Sequence, residues 1–161
     1  MLFGVVCVSD RCSQGLCEDK SGQLIKELVS SLGNAEEYLL VPDEKDQIEK
    51  ALISLCDKNV DVVFTTGGTG FAPRDITPEA TKSVIEREAP GIAEAIRVKS
   101  LEITPKAMLS RAVSGIRGKT LIINLPGSPK AVREALEFVL PVIPHAVEVL
   151  SGDTLNCGGK Y

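Results

Sequence analysis

Apolar residues along the chain follow two different periods, and the two periods alternate. Short apolar runs rich in β-branched residues predict buried strands, and they occupy residues 2–9, 38–41, 60–66 and 119–124. Elsewhere apolar residues recur every three or four positions, which predicts helices. The predicted helices occupy residues 21–32, a segment that begins at Pro42, 78–88, 92–101, part of 104–113, 128–140 and 141–150.

This alternation predicts an α/β fold in three layers, with a mostly parallel sheet and helices on both of its faces. A length of 161 residues is typical of one domain, which we expect to span residues 1–161. Ligands of such sheets bind beyond the carboxyl ends of the strands. Four loops are predicted at that edge, at residues 9–10, 42–43, 67–75 and 126–128.

The most distinctive of these loops lies in TTGGTGFAPRDITPE, residues 65–79. Its small residues let backbone N–H groups approach an anion closely, and they are Gly67, Gly68, Thr69 and Gly70. Arg74 is a candidate phosphate partner, and Asp75 is a candidate ligand of a divalent cation. The alternatives are a tight turn without a ligand, a solvated Arg74 and an Asx-turn at Asp75 ahead of an N-cap at Thr77.

The other three loops carry groups of the same kind. Ser9 and Asp10 end the first strand, where they can face a nucleotide or simply form a turn. Asp43 is either a functional carboxylate or the N-cap of the following helix. A second glycine turn, formed by Pro126, Gly127 and Ser128, is either an anion site at a helix N-terminus or a plain cap. Together these groups indicate phosphoryl or nucleotidyl transfer.

Composition and charge limit the kinds of partner and the cellular location that we expect for this protein. The net charge of −4 disfavours a nucleic-acid partner. No apolar run reaches the roughly 20 residues of a membrane-spanning helix, so we expect no membrane insertion. The first residues lack the layout of a signal peptide, and we therefore expect a cytoplasmic location.

Cysteine and histidine usage points away from zinc and thiol chemistry. The five cysteines include no CxxC pair, and in a reducing compartment we expect reduced, incidental thiols. The single histidine, His145, lies in an apolar helical stretch and is expected to be partly buried or on the surface. A histidine-based metal site or a Ser-His-Asp triad is therefore not expected.

The loops together resemble those of the molybdopterin adenylyltransferase family, which includes the MogA-type enzymes, a plant G domain and the G domain of gephyrin. The matching segments span nearly the whole chain and are residues 8–10, 41–44, 65–79, 104–105, 108–111, 115–118 and 122–128. Residues 86–91 and 115–128 are most similar to the gephyrin type, which includes its insect counterpart cinnamon.

The resemblance implies a homotrimer that uses Mg²⁺ and converts ATP and molybdopterin to adenylylated molybdopterin and pyrophosphate. It implies that Asp43 and Asp75 are catalytic and hold the metal. The nucleotide and pterin phosphates would bind at Ser9, Asp10, Gly67, Gly68, Thr69, Gly70, Arg74, Pro126, Gly127 and Ser128, with Ser110 and Arg111 near the pterin. An E-type domain that inserts molybdate, in the same or a separate chain, would be a partner.

Two other functions stay open from the sequence alone. Because gephyrin-type domains also act as trimerisation units, the chain could be a scaffold that keeps the fold and the site. It could also be a nucleotide-binding protein with different chemistry. Ser128 is one departure from the family pattern, because several relatives carry Asn there, and its role is assigned more to its backbone than to its side chain.

Overall fold

Six strands form a single sheet in the computed structural model, which describes residues 1–152. The strands are β1 (Leu2–Val8), β2 (Asn34–Val41), β3 (Val62–Thr66), β4 (Arg87–Glu88), β5 (Ser114–Arg117) and β6 (Thr120–Leu125). Their order across the sheet is β2-β1-β3-β6-β5-β4. The first four run parallel, and β5 is antiparallel to both β6 and β4. The predicted mostly parallel sheet is confirmed.

Helices connect the strands and extend the chain beyond the sheet. They are α1 (Asp10–Ser13), α2 (Lys20–Val29), α3 (Lys45–Asp57), α4 (Thr77–Val84), α5 (Pro90–Leu101), α6 (Pro129–Val139) and α7 (Ile143–Ser151). Short 3-10 turns cover Pro105–Leu109 and Leu140–Val142. None of the helices within residues 1–152 combines the length and the apolar character needed to cross a membrane.

Helices pack on both faces of the sheet, as the three-layer prediction requires. Successive side chains of a strand point to opposite faces, so β1 contributes Phe3 and Val5 to one hydrophobic cluster and Val6 to the other. The first cluster includes side chains of α2, α5, α6 and α7, and the second includes those of α3 and α4. Phe3 stacks on Phe64 of β3 with 6.1 Å between the ring centroids. The parallel strands are therefore buried on both sides.

The chain order of the strands positions the site. From β1 the chain continues to β2 on one side, and then passes through α3 to β3 on the other side of β1. Loops that leave two neighbouring strands in opposite directions open a crevice between them at the carboxyl edge. This crevice lies between β1 and β3, next to the loop at residues 67–75, which we call the glycine loop.

Two strands were not predicted, and the helix predicted over 78–88 is too long. That helix ends at Val84, and β4 follows it at residues 87–88. Both β4 residues are exposed and form too short a segment to show a period. In β5, the sequence SGIR contains a single large apolar residue, so it shows no apolar run. Its Gly115 pairs with Glu88 of β4. The antiparallel end of the sheet is therefore set by tertiary pairing rather than by local pattern.

Helix starts were predicted with mixed success. Ser128 caps α6, because its Oγ accepts a hydrogen bond from the Ala131 N–H. Thr77 was wrongly predicted as an N-cap: the cap position of α4 is Ile76, and the Thr77 hydroxyl donates to the Gly67 carbonyl instead. The capping alternative for Asp43 is also wrong, since Glu44 occupies the cap position of α3. Thr77 is thus available to bind the glycine loop, and Asp43 is available to bind the loop that follows β1 at Ser9 and Asp10, which we call the first-strand loop.

The expectation of reduced cysteines is wrong for Cys12 and Cys17, which form a disulfide. The short helix α1 and the turn that follows it bring their Cα atoms to 4.6 Å. Cys7 is buried, which raises the pKa of its thiol and makes it inert. Cys157 lies outside the described residues. His145 is exposed and lies 3.6 Å from a Glu148 carboxylate oxygen.

Candidate active site

The four loops predicted at the carboxyl edge meet one another. The Ser9 N–H donates to the Val41 carbonyl at 2.9 Å, which joins the loops after β1 and β2. The Thr66 hydroxyl donates to the Pro126 carbonyl at 2.7 Å, which joins the loops after β3 and β6. A side chain at Gly127 would begin 3.4 Å from the Gly67 Cα. The residues predicted from separate parts of the chain therefore lie along one edge.

The glycine turn depends on two successive residues with left-handed backbone conformations. Gly67 has φ 97° and Gly68 has φ 63°, values that only glycine adopts readily. A Cβ at Gly67 would collide with the Val8 carbonyl oxygen, and one at Gly68 would collide with the Thr77 hydroxyl. Thr77 also donates its N–H to the Gly68 carbonyl at 3.1 Å. The turn is thus fixed against β1 on one side and against the start of α4 on the other.

Asp10 and Asp43 bind each other's backbone. The Asp10 N–H donates to Asp43 Oδ2 at 2.8 Å, and the Asp43 N–H donates to Asp10 Oδ1 at 3.0 Å. Burial raises the pKa of Asp43 above its ordinary value, and the negative charges of Asp10 and Asp75 raise it further. The carboxylate of Asp43 is therefore held in a site that already carries negative charge and that a cation would stabilise.

Arg74 bridges two carboxylates at the surface. Its Nε donates to Asp10 Oδ2 at 2.6 Å, and its Nη2 donates to Asp10 Oδ1 at 3.0 Å and to Glu44 Oε1 at 2.7 Å. The hydrogen bonds from Arg74 lower the pKa of Asp10. The same two carboxylates raise the pKa of Arg74. The predicted phosphate partner is therefore held beside the first-strand loop by exposed ion pairs.

Asp75 lines a cavity at this edge that also borders the glycine turn. Its Oδ2 accepts a hydrogen bond from the Ala72 N–H at 2.9 Å and lies 2.9 Å from where a Cβ at Gly70 would be. The cavity has a volume of about 430 Å³ and is lined by Gly68, Thr69, Gly70, Asp75, Ser110 and Gly127, among others. Ser110, which was predicted to lie near a substrate, is thus brought together with the glycine turn.

Arg111 reaches the same loop but does not line this cavity. Its side chain donates to the carbonyls of Gly70 and Asp75 and pairs with Glu79. It lines a second, more open depression together with Phe71 and Asp75, so Asp75 borders both. The assignment of Arg111 to the surroundings of the pterin stays a prediction, and the geometry gives this side chain contacts with the protein.

A second cavity lies on the other side of Gly127. It has a volume of about 380 Å³ and includes Ser9, Thr66 and Gly67. Gly127 lines both cavities, so the backbone of the two glycine turns forms the wall between them. We call this wall, made of Gly67, Gly68 and Gly127, the glycine ridge.

Several polar residues that line the cavities were not predicted. The larger cavity also has Arg97, Ser100 and Lys106 in its lining, and the smaller one has Asp19 and Ser21. The Ser21 hydroxyl donates to the Gly127 carbonyl at 2.8 Å, across a separation of 106 residues. The position of Ser21 in the first turn of a helix was a usable signal. Nothing in the local pattern indicates that α5 borders the site.

Asp43 and Asp75 fit a magnesium ion that takes part of its shell from a substrate. Within the described chain, no three His, Cys, Asp or Glu side chains are arranged to hold a metal by themselves. Mg²⁺ in phosphate-transfer sites is bound through one or two carboxylates, with substrate phosphates and waters completing the octahedron. The two aspartates can supply such carboxylates, and the backbone N–H groups of the glycine turn can bind the substrate phosphates that complete the shell.

Comparison with known proteins identifies the family. Residues 4–145 match the family model described as "Probable molybdopterin binding domain". A molybdopterin adenylyltransferase of Helicobacter pylori is 52% identical over 162 residues, which cover 98% of this chain and 92% of that protein. The molybdenum cofactor synthesis protein cinnamon of Drosophila melanogaster is 44% identical over 154 residues, which cover 94% of this chain and 26% of that protein.

A solved structure agrees in fold as well as in sequence. The molybdopterin biosynthesis enzyme MoaB from Thermus thermophilus superposes with a TM-score of 0.88 at 48% identity, covering 94% of this chain and 96% of that one. Of the two relatives above, the bacterial enzyme is more similar to this chain than cinnamon is. The edge geometry, the family model and the full-length relatives agree, and the chain belongs to the molybdopterin-binding family of molybdenum cofactor biosynthesis, together with proteins named molybdopterin adenylyltransferase.

Proposed function

We propose that this protein transfers the adenylyl group of ATP to molybdopterin and releases pyrophosphate. The observation that carries the proposal is the convergence of Asp43, Asp75 and the turn at Gly67 and Gly68 on one edge of the sheet. The names of relatives that match nearly the whole chain support the same reaction. A scaffold without chemistry does not need two carboxylates beside a glycine turn.

In the proposed reaction, a terminal phosphate oxygen of molybdopterin attacks the α-phosphorus of ATP. A bond forms between that oxygen and the α-phosphorus, and the bond between the α-phosphorus and the oxygen bridging to the β-phosphate breaks. The electron pair leaves with pyrophosphate. No side-chain base is required, because the attacking phosphate is already ionised.

The residues of the chain bind and align the terminal phosphate of molybdopterin and the triphosphate of ATP. The backbone N–H groups of Gly67 to Gly70 and of the turn at Ser128 bind phosphate oxygens. Asp43 and Asp75 would hold Mg²⁺, which neutralises charge on the triphosphate and on the leaving pyrophosphate. Positioning of this kind, with charge stabilisation, accounts for most catalysis of phosphate transfer.

We propose that the two cavities take the two substrates, one on each side of the glycine ridge. Gly127 lines both cavities, so two ligands there would bring their phosphates together at the ridge. Both the polar lining at Ser9 and Ser21 and the cationic lining at Arg97 and Lys106 suit phosphorylated ligands. This arrangement holds the reacting groups in proximity.

Pyrophosphate release from Mg-ATP, with and without molybdopterin, tests the proposal. We expect release only when molybdopterin is present and a loss of about 100-fold in Asp75→Asn, because a ligand of the metal is removed. Asp57→Asn, an exposed aspartate at the end of α3, is the matched control and should keep the full rate. Full activity of Asp75→Asn at saturating Mg²⁺ would rule out the assigned role.

The assembly and cellular setting belong to the same proposal. We propose a homotrimer in the cytoplasm, formed by one domain over residues 1–161, which passes its product to a molybdate-inserting E-type domain. Three exposed apolar side chains, Val98, Ile103 and Met108, leave apolar surface available for contacts between subunits. The greater length of cinnamon supports a partner domain. Sedimentation equilibrium measures the oligomeric state directly.

A further inference from the structure

Arg111 holds both ends of the segment that carries Asp75. Its Nε donates to the Gly70 carbonyl at 2.7 Å, and its Nη2 donates to the Asp75 carbonyl at 2.6 Å. Its backbone N–H also donates to the Thr69 carbonyl at 2.9 Å. A single residue therefore fixes where this segment leaves the glycine turn and where it returns to α4.

The position of the Asp75 carboxylate depends on the conformation of this segment. Its Oδ2 accepts the Ala72 N–H from within the segment and packs against Gly70. If the carbonyls of Gly70 and Asp75 lost their common donor, the segment could relax and carry the carboxylate with it. Arg111 is absent from the lining of the 430 Å³ cavity that includes Asp75 and the glycine turn, and it shares with Asp75 the more open depression at Phe71. It therefore acts on Asp75 from outside that cavity.

Glu79 holds the guanidinium from the other side. It lies in the first turn of α4, where the helix dipole favours a carboxylate, and its Oε1 pairs with Arg111 Nη1. Its Oε2 has no accessible surface and no hydrogen-bond partner among the residues that the structure describes. A buried acceptor without a donor is unfavourable, and its presence needs a reason. Fixing the direction of Arg111 provides one.

We propose that Arg111 and Glu79 form a positioning pair that sets the Asp75 carboxylate for adenylyl transfer, and that Arg111 does not bind the substrate. The inference rests on the proposed function, because it gives Asp75 its task. Arginine suits this role because its planar guanidinium presents several donors in a fixed geometry. Lysine keeps the charge but cannot serve two carbonyls and a carboxylate in the same arrangement.

Hydrogen exchange in the free protein tests the structural part. In Arg111→Lys, we expect the amide of Ala72 to exchange about tenfold faster than in the unsubstituted protein, since its acceptor Asp75 moves. Arg117→Lys is the matched control, because Arg117 donates to the Val84 carbonyl at 3.0 Å on the antiparallel half of the sheet. Exchange at Ala72 should be unchanged in the control.

Steady-state kinetics test the functional part. In Arg111→Lys, we expect the Mg²⁺ concentration at half-maximal rate to rise about tenfold and kcat to fall by a similar factor. The KM for molybdopterin should change less than about twofold, because no substrate contact is removed. Glu79→Gln keeps an oxygen acceptor for Arg111 and should shift the same quantities in the same direction by about threefold. This variant carries the test if Arg111→Lys does not fold.

The two measurements separate the inference from the proposed function. Unchanged exchange at Ala72, or a raised KM for molybdopterin with unchanged kcat, would overturn the positioning role. If the unsubstituted protein releases no pyrophosphate with molybdopterin, the proposed function fails, while the exchange experiment still shows whether Arg111 fixes the segment. Faster exchange together with the Mg²⁺ shift would establish the pair.

Discussion

Arg74 and Arg111 both contact the loop that leads to Asp75, but they bind different kinds of acceptor. Arg74 is 55% exposed and pairs with the carboxylates of Asp10 and Glu44. Arg111 is 34% exposed, and two of its acceptors are backbone carbonyls. An arginine bound to carbonyls fixes the path of the chain, whereas one bound to surface carboxylates can exchange them for salt or for a ligand.

This difference assigns the two residues to different tasks within one site. Arg74 can leave Asp10 when a phosphate group arrives, at little cost to the fold. Arg111 cannot leave without removing the donor that the carbonyls of Gly70 and Asp75 share. The site thus combines a fixed part around Asp75 with an adjustable part around Asp10, and four measurements can break or sharpen that distinction.

The largest expected effect is on stability when each arginine is replaced by methionine. Arg111→Met leaves the carbonyls of Gly70 and Asp75 without their shared donor, and we expect the free energy of unfolding to fall by about 2–3 kcal/mol. Arg74→Met should cost less than about 1 kcal/mol, because its pairs are exposed. Urea denaturation measures both values. Equal losses for the two variants would contradict the comparison.

The second effect concerns the disulfide that closes the first-strand loop. Cys12→Ser removes the crosslink between Cys12 and Cys17, and the chain-entropy model predicts a loss of roughly 2 kcal/mol for so short a loop. A dithiol reductant should lower the melting temperature of the unsubstituted protein to that of Cys12→Ser, because both changes open the same crosslink. Cys56→Ser, at a free thiol, is the control. If reduction changes nothing, Arg74 and Asp10 hold this loop without the crosslink.

The third effect is a change in how stability depends on pH. The pKa of Asp43 is raised in the folded protein, so between about 3.9 and that raised value the folded state holds a proton that the unfolded chain has lost. The free energy of unfolding therefore falls as pH rises through this interval. Asp43→Asn should remove this decrease in the free energy of unfolding. Its melting temperature at neutral pH without Mg²⁺ should therefore be higher than that of the unsubstituted protein, while its adenylyl-transfer rate should be lower.

For Asp10 the unfolding free energy changes with pH in the opposite direction, so Asp10→Asn is the control for this prediction. Arg74 lowers the pKa of Asp10 in the folded protein. Its contribution to stability is therefore present above the ordinary pKa and is lost as pH falls through the lowered value. Asp10→Asn should weaken stability at neutral pH. Melting curves between pH 3 and 8 at fixed ionic strength compare the two variants, and a stabilising Asp10→Asn would contradict the sign.

The smallest effect is the response to salt. Roughly 1 M NaCl shortens the screening length to about 3 Å, which weakens exposed ion pairs more than hydrogen bonds to carbonyls. The difference in unfolding free energy between the unsubstituted protein and Arg74→Met should therefore approach zero in high salt. More than half of the Arg111→Met difference should remain. The same denaturation experiment, repeated at two salt concentrations, decides the point.

The sequence predicted the parallel half of the sheet because buried parallel strands are apolar along their whole length. For β1, β3 and β6 this produces runs that are visible without any tertiary information, and the loops after them follow from the strand order. β4 and β5 lack such a signal, since their pairing depends on contact between distant segments. Their absence from the prediction did not affect the loops of the site, which follow the carboxyl ends of β1, β2, β3 and β6.

The same reasoning explains which site residues were predicted and what was missed about them. Glycines and aspartates in loops indicate their own chemistry, so Gly67, Gly68 and Asp75 were found. The acceptors of Arg111 are backbone carbonyls, and every residue offers a carbonyl, so no sequence pattern reveals them. The pairing of Asp10 with Arg74 spans 64 positions. The resemblance to a family supplied Asp43, whose local position favoured a helix cap.

The glycine ridge has a consequence for inhibition. Gly127 lines both cavities, with Gly68 in the larger and Gly67 in the smaller, so one molecule with an arm in each needs a short link across the ridge. Such a bivalent ligand loses its translational freedom once, and its second arm binds at a high effective concentration. Its affinity would exceed that of either arm alone by orders of magnitude, without any new contact.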